Sequence, residues 1–114
     1  MSTHLINKTE NGILFFCNGC KLLHLEFKNI SLNFTKQQLN DFYEHVEKLD
    51  GSSWELANQS SPFRRKIVIP LFNGNFNFMI NLEELIELKN LIHKTNNSLH
   101  NTLLKNIDII SRCN

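Results

Sequence analysis

The chain is short of the features that mark a specialised environment. No apolar run approaches the roughly 20 residues that a membrane-spanning helix needs. Met1-Ser2-Thr3-His4 has neither the positive start nor the apolar core of a secretory signal. Cysteine is scarce, and three is an odd number that does not suit a secreted disulfide framework. A cytoplasmic protein is therefore expected. Neither sign of charge is in excess: 12 Lys and Arg face 11 Asp and Glu, for a net charge of +1, so no global field draws the chain onto nucleic acid or an anionic membrane. With four glycines, none within five residues of another, no phosphate-cradling glycine loop exists.

What remains suits one folded domain. The 114 residues are 41% hydrophobic and 20% charged, enough for one core and too few for two. Nine Phe stand against one Tyr and one Trp, and most of those rings are expected inside.

The glycines punctuate the chain. Asn11-Gly12, Asn18-Gly19 and Asn73-Gly74 are the preferred pair for a two-residue type I′ hairpin turn. Gly51, after Asp50, suits a left-handed helix stop. These turns predict strands over His4–Glu10, Ile13–Cys17 and Lys21–Phe27, with a short fourth over Ile30–Phe34 after a Lys28-Asn29 turn. Thr35-Lys36-Gln37-Gln38 fits a capping box, and Leu39, Phe42, Val46 and Leu49 recur at helical spacing, which predicts a helix over Lys36–Leu49. Gly51–Pro62 reads as a loop pinned by Trp54. A hairpin around Asn73-Gly74 pairs Leu71 with Phe76, Ile69 with Phe78 and Ile67 with Ile80, putting all six on one core face. Pro70, opposite Asn77, marks an edge or bulge. Asn81 caps a second helix with Glu83 and Glu84 in its first turn and an apolar stripe of Leu82, Leu85, Ile86, Leu88, Leu91 and Ile92. A last helix over 98–112 carries Leu99, Leu103, Ile107 and Ile110. The expected fold is α+β, in the order β-β-β-(β)-α-β-β-α-α. The antiparallel hairpins form one curved sheet with helices on one side.

Chemistry concentrates at Cys17-Asn18-Gly19-Cys20. Two thiols at that spacing are half of a zinc site, a redox pair, or two reduced thiols beside a turn. Counted back from an Asn11-Gly12 turn, Ile6 lies opposite Cys17 and His4 near Gly19, on the face that does not carry Leu14, Phe16, Leu23, Leu25 and Phe27. Two thiols and the His4 imidazole then converge at one end of the sheet. His24 is the fourth candidate ligand, but a straight strand puts it on the order of 13 Å from Cys20, so it joins only if the chain kinks after Cys20. Nothing in the sequence argues for Cys113. The redox alternative lacks the helix N-terminus that usually stabilises a reactive thiolate. Arg64-Arg65-Lys66 is the one dense basic cluster, read either as a solvated strand entry or as an RNA- or ribosome-binding patch. His45, His93 and His100 fall off the apolar stripes and are expected at the surface.

Thr9-Glu10-Asn11-Gly12-Ile13-Leu14-Phe15-Phe16-Cys17-Asn18-Gly19-Cys20-Lys21 and His24-Leu25-Glu26-Phe27-Lys28-Asn29-Ile30, together with Trp54-Glu55, Arg65-Lys66-Ile67-Val68-Ile69-Pro70 and Glu84-Leu85-Ile86-Glu87-Leu88-Lys89, resemble a family of short bacterial proteins known only as a domain of unknown function. The resemblance covers roughly the first four-fifths of the single domain, residues 1–95, and leaves the 98–112 helix as an addition. It implies a common fold and carries no activity with it.

These observations together predict a small soluble non-enzymatic domain, a protein-interaction or regulatory module. Zinc is its one expected cofactor, held structurally at the CxxC hairpin by Cys17, Cys20, His4 and His24. Its expected partner is another protein, or a second copy engaged through the last helix. Thiol-dependent chemistry and RNA binding are the alternatives, and no membrane partner is expected.

Overall fold

The structure, a computed structural model, describes residues 3–71 and 74–92. The expected 98–112 helix and Cys113 lie outside them. Four antiparallel strands, β1 (Thr3–Lys8), β2 (Gly12–Cys17), β3 (Leu22–Phe27) and β4 (Ile30–Phe34), form a sheet in the order β1-β2-β3-β4. Helices α1 (Lys36–Glu47) and α2 (Gly51–Ala57) follow, then the hairpin β5 (Ile67–Leu71) and β6 (Phe76–Ile80), and a third helix, α3, over residues 82–92. The α+β class and the order are those expected.

Period-two alternation builds the core. Leu14 and Phe16 of β2, Leu23, Leu25 and Phe27 of β3, and Leu32 of β4 are buried. The register stacks them in rows, with Leu14 opposite Leu25 and Leu25 opposite Leu32. Helix α1 lies against β3 and β4 and adds Leu39, Phe42 and Val46 to the same cluster. Its capping box forms as expected: Thr35 Oγ1 accepts from the Gln38 N–H, and Gln38 Oε1 accepts from the Thr35 N–H. Leu85, Leu88, Leu91 and Ile92 of α3 complete the core, whereas Ile86 of the expected stripe is 53% exposed.

Several expectations are corrected. The two hairpin systems form two sheets rather than one: among the described residues β5 and β6 pair as strands with each other and not with β1–β4, and Phe27 meets Phe78 edge-on at 6.1 Å. Gly51–Pro62 is not wholly loop. Asp50 Oδ1 accepts from the Ser53 N–H and caps α2, on which Trp54 packs against the core. Gly51 therefore opens α2 instead of stopping α1. A Cβ there would lie 2.5 Å from Leu82 Cδ1, so the Leu82 side chain would have to move to admit one. The β5–β6 register is as expected, but its apolar face fades from buried Ile67, Ile69 and Ile80 to Phe76, 63% exposed near the turn.

The first hairpin differs most. The Thr9 N–H donates to the Gly12 carbonyl at 2.9 Å, so the turn is Glu10-Asn11, one residue earlier than expected. Gly12 is the first residue of β2, where a Cβ would lie 2.7 Å from Leu91 Cδ2 and 2.9 Å from Phe27 Cδ1. A bulge at Ile6, between Leu5 and Asn7, shifts the register again, so that Thr3 lies opposite Cys17 and His4 opposite Phe16.

Glu87 of α3 holds this first turn down. Its Oε2 accepts from Thr9 Oγ1 at 2.6 Å and from the Asn11 N–H at 2.8 Å, and its Oε1 accepts from Asn11 Nδ2 at 2.8 Å. Burial pushes the carboxyl up, but these hydrogen bonds outweigh it and leave the pKa below the ordinary glutamate value. Glu87→Ala is expected to lower stability at neutral pH by about 2 kcal/mol. Urea unfolding checks this, and amide exchange should quicken first at Thr9 and Asn11.

Candidate metal centre

The turn between β2 and β3 is a four-residue loop, Asn18 to Lys21, closed by the pair Cys17 and Leu22. The Lys21 N–H donates back to the Cys17 carbonyl at 2.8 Å. Neither Asn18 nor Gly19 takes a positive φ; Lys21 does, at 58°. A lysine in the left-handed region costs on the order of 1 kcal/mol. The reversal there breaks the straight path assumed in the 13 Å estimate and folds Cys20 back over β3.

The sheet register brings the remaining groups to the same place. Phe15, His24 and Asn33 are consecutive cross-strand neighbours on β2, β3 and β4. They share the outer face, opposite the core row of Phe16, Leu23 and Phe34. Phe15 stacks on the His24 ring with centroids 5.0 Å apart and an interplanar angle of 23°. On the other side His24 Nδ1 is in hydrogen-bond contact with Asn33 Oδ1. A carbonyl oxygen accepts, so Nδ1 is the donor, and the neutral ring then has its lone pair at Nε2. That lone pair faces Cys20 Sγ at 3.2 Å.

Cys17 Sγ, Cys20 Sγ and a His24 ring nitrogen all lie within 4.8 Å of one another. Tetrahedral zinc, with bonds of about 2.0–2.3 Å to nitrogen and sulfur, places its donors roughly 3.5–3.8 Å apart, so the cluster matches that scale. Cys17 is buried, Cys20 is exposed and His24 is intermediate; the two cysteines are not joined in a disulfide. The Cys20 backbone N–H, then the Cys20 side chain, hold the Cys17 thiol down to about 7 against the upward push of burial. A thiolate is the form that binds metal.

Of the four expected ligands, three meet and one does not. Residues opposite each other in an antiparallel pair point to the same face, so His4 goes with Phe16 and not with Cys17. It is exposed, and its Nε2 is 3.4 Å from Asn18 Nδ2. His24, expected to join only if the chain kinks after Cys20, is the imidazole that meets the two sulfurs. Asn33 was missed, although its position was countable: a two-residue Lys28-Asn29 turn puts it opposite His24.

The basic cluster is partly engaged within the chain. Arg65 grips Glu84 of α3 with Nε and Nη2 at 2.8 and 3.1 Å, and Lys66 Nζ donates to the carbonyls of Ser61 and Phe63. His45 is exposed, as expected, while His93 and His100 lie outside the described residues. Among the described residues no helix is long and apolar enough to cross a membrane.

A family model described as a family of unknown function, DUF6686, matches residues 1–114, and the chain belongs to that family. The match runs through the segment beyond residue 95 that the motif resemblance did not reach. The residues that carry the resemblance meet in the fold, Thr9 and Asn11 on Glu87, and Arg65 on Glu84. No curated protein and no solved structure matches the chain.

Proposed function

We propose, for this member of a family without an assigned activity, a small non-enzymatic module in which Cys17, Cys20 and His24 hold one zinc ion. The observation that carries the reading is the His24 ring. It is stacked on Phe15 and bonded through Nδ1 to Asn33, with the free Nε2 turned onto the two sulfurs. Metal-binding histidines commonly have their second nitrogen fixed in this way. The cluster sits where a loop meets the first turn of a strand, so an ion there ties the Cys20 loop to β3. That is a structural role, and it offsets the strain at Lys21.

Elemental analysis of the native protein is expected to give one zinc per chain, and cobalt substitution a thiolate charge-transfer band. Cys20→Ser should abolish both. Asn33→Leu leaves all three donors in place, so it should weaken zinc binding by about 10–100-fold. A metal-free native protein that shows no thiolate band with cobalt overturns the reading. A Cys17–Cys20 disulfide found by mass spectrometry in that metal-free protein would favour thiol chemistry instead.

A further inference from the structure

The opposite end of β3 holds a second feature. A cleft of about 660 Å³ opens between the β3–β4 turn and strand β6, within the size range of small-molecule sites. Phe27, Ile30, Phe78 and Met79 form its apolar wall, and Lys28 and Arg65 stand in its lining with Glu84.

The charges there are unequal. Glu84 is buried, and Arg65 alone gives it a two-point ion pair. Lys28 Nζ is a second cation, 3.4 Å from the same carboxylate. Within the lining two cations face one carboxylate, an excess of positive charge beside an apolar wall; Glu87, outside the lining, is a second acidic neighbour of Lys28. Arg65 keeps its Nη1 edge unused by Glu84, and both cationic side chains are close to half exposed, at 47% and 40%. Lys28 also holds a positive φ of 54°, which a lysine adopts only under constraint. The side-chain amides of Asn29 and Asn77, also in the lining, add neutral hydrogen-bonding groups.

We infer that this cleft binds a small amphipathic carboxylate, its anionic head on Arg65 and Lys28 and its flat apolar body against Ile30, Phe78 and Met79. The site is independent of the zinc cluster, and zinc content is unaffected by whether it fills.

The test is an NMR titration of the full chain with 2-naphthoate and, separately, with its neutral amide. Saturable shifts are expected at Lys28, Asn29, Arg65 and Asn77 to Met79, with the acid binding about tenfold tighter than the amide. Lys28→Met, which keeps the Arg65–Glu84 pair, should weaken the acid toward the amide. Asn77→Trp should fill the cleft and remove binding while the amide spectrum stays folded. Failure to saturate in the millimolar range, equal binding of acid and amide, shifts scattered over the surface, or native affinity in either variant would overturn the assignment.

Discussion

Replacing Phe27 with alanine is expected to lower folding stability by about 4 kcal/mol, near the middle of the range for deleting a buried phenylalanine ring. Phe27 is 1% exposed and ends β3, paired with Gly12 on one side and Ile30 on the other. Its ring stands edge-on to Phe78 at 78°, so it spans the junction between two sheets that, among the described residues, share no ladder hydrogen bond. The pair adds on the order of 1 kcal/mol beyond area burial. Gly12 is what lets the ring sit there, since a Cβ at that position would overlap it. Phe27→Leu keeps most of the volume and should lose about half as much. Urea unfolding followed by the fluorescence of Trp54, the only tryptophan, measures both variants. If the β5–β6 hairpin frays separately in Phe27→Ala, the m-value falls together with the midpoint. A loss below about 2 kcal/mol would mean that the two sheets are held by something other than this ring.

The second large effect is expected at Arg65. Glu84 is 5% exposed, and the Arg65 guanidinium, ahead of the Asn81 N–H and Lys28, holds its carboxyl at about 2, down from 4.5. A carboxylate whose folded pKa is depressed contributes stability that is complete above its unfolded pKa and disappears as pH falls through the folded one. The shift corresponds to about 3 kcal/mol, trimmed toward about 2 because both cations are close to half exposed to water. Arg65→Ala should therefore destabilise the protein at neutral pH, leaving a buried carboxylate with only Lys28 as counterion. Glu84→Gln should lose about 2 kcal/mol. Between pH 4.5 and 2 the wild-type protein gives up this contribution, and its stability converges on that of Glu84→Gln. Denaturant titrations at a series of pH values read this directly. Parallel curves for wild type and Glu84→Gln across that window would contradict the assignment.

Hydrophobic periodicity made most of the fold readable, and glycine chemistry misled part of it. The capping box at Thr35, the Asn81 cap and the β5–β6 register each depend on a few adjacent residues, and each was legible. Gly12 and Gly51 were read as conformational devices, but both are spacing devices. A leucine of α3 lies close over each, Leu91 over Gly12 and Leu82 over Gly51, a contact between residues far apart in sequence. Only Gly74 among the described glycines uses a positive φ. The left-handed positions of the β2–β3 and β3–β4 turns fall instead on Lys21 and Lys28, residues whose propensities give no hint of it.

The candidate site inherited those errors. The misplaced turn moves the register by two residues and would have left His4 on the Cys17 face; the one-residue bulge at Ile6 alone turned it away, and one unforeseen reversal at Lys21 brought His24 to the sulfurs. Cys17 and Cys20 were legible because their spacing is local. Glu84 was expected merely to complement the helix dipole; its burial and its grip on Arg65 depend on how α3 meets the chain before β5, which no local pattern reports.

The irregular step at Ile6 bears on how this protein behaves at high concentration. β1 is the outermost strand of its sheet, and a regular strand there would offer an unbroken row of amides and carbonyls to any neighbouring molecule. The step interrupts that row, and Asn7 is turned inward so that its side-chain amide donates to the Leu91 carbonyl at 2.9 Å. Lateral growth into fibrils is discouraged at the margin where Leu5 lies open to water.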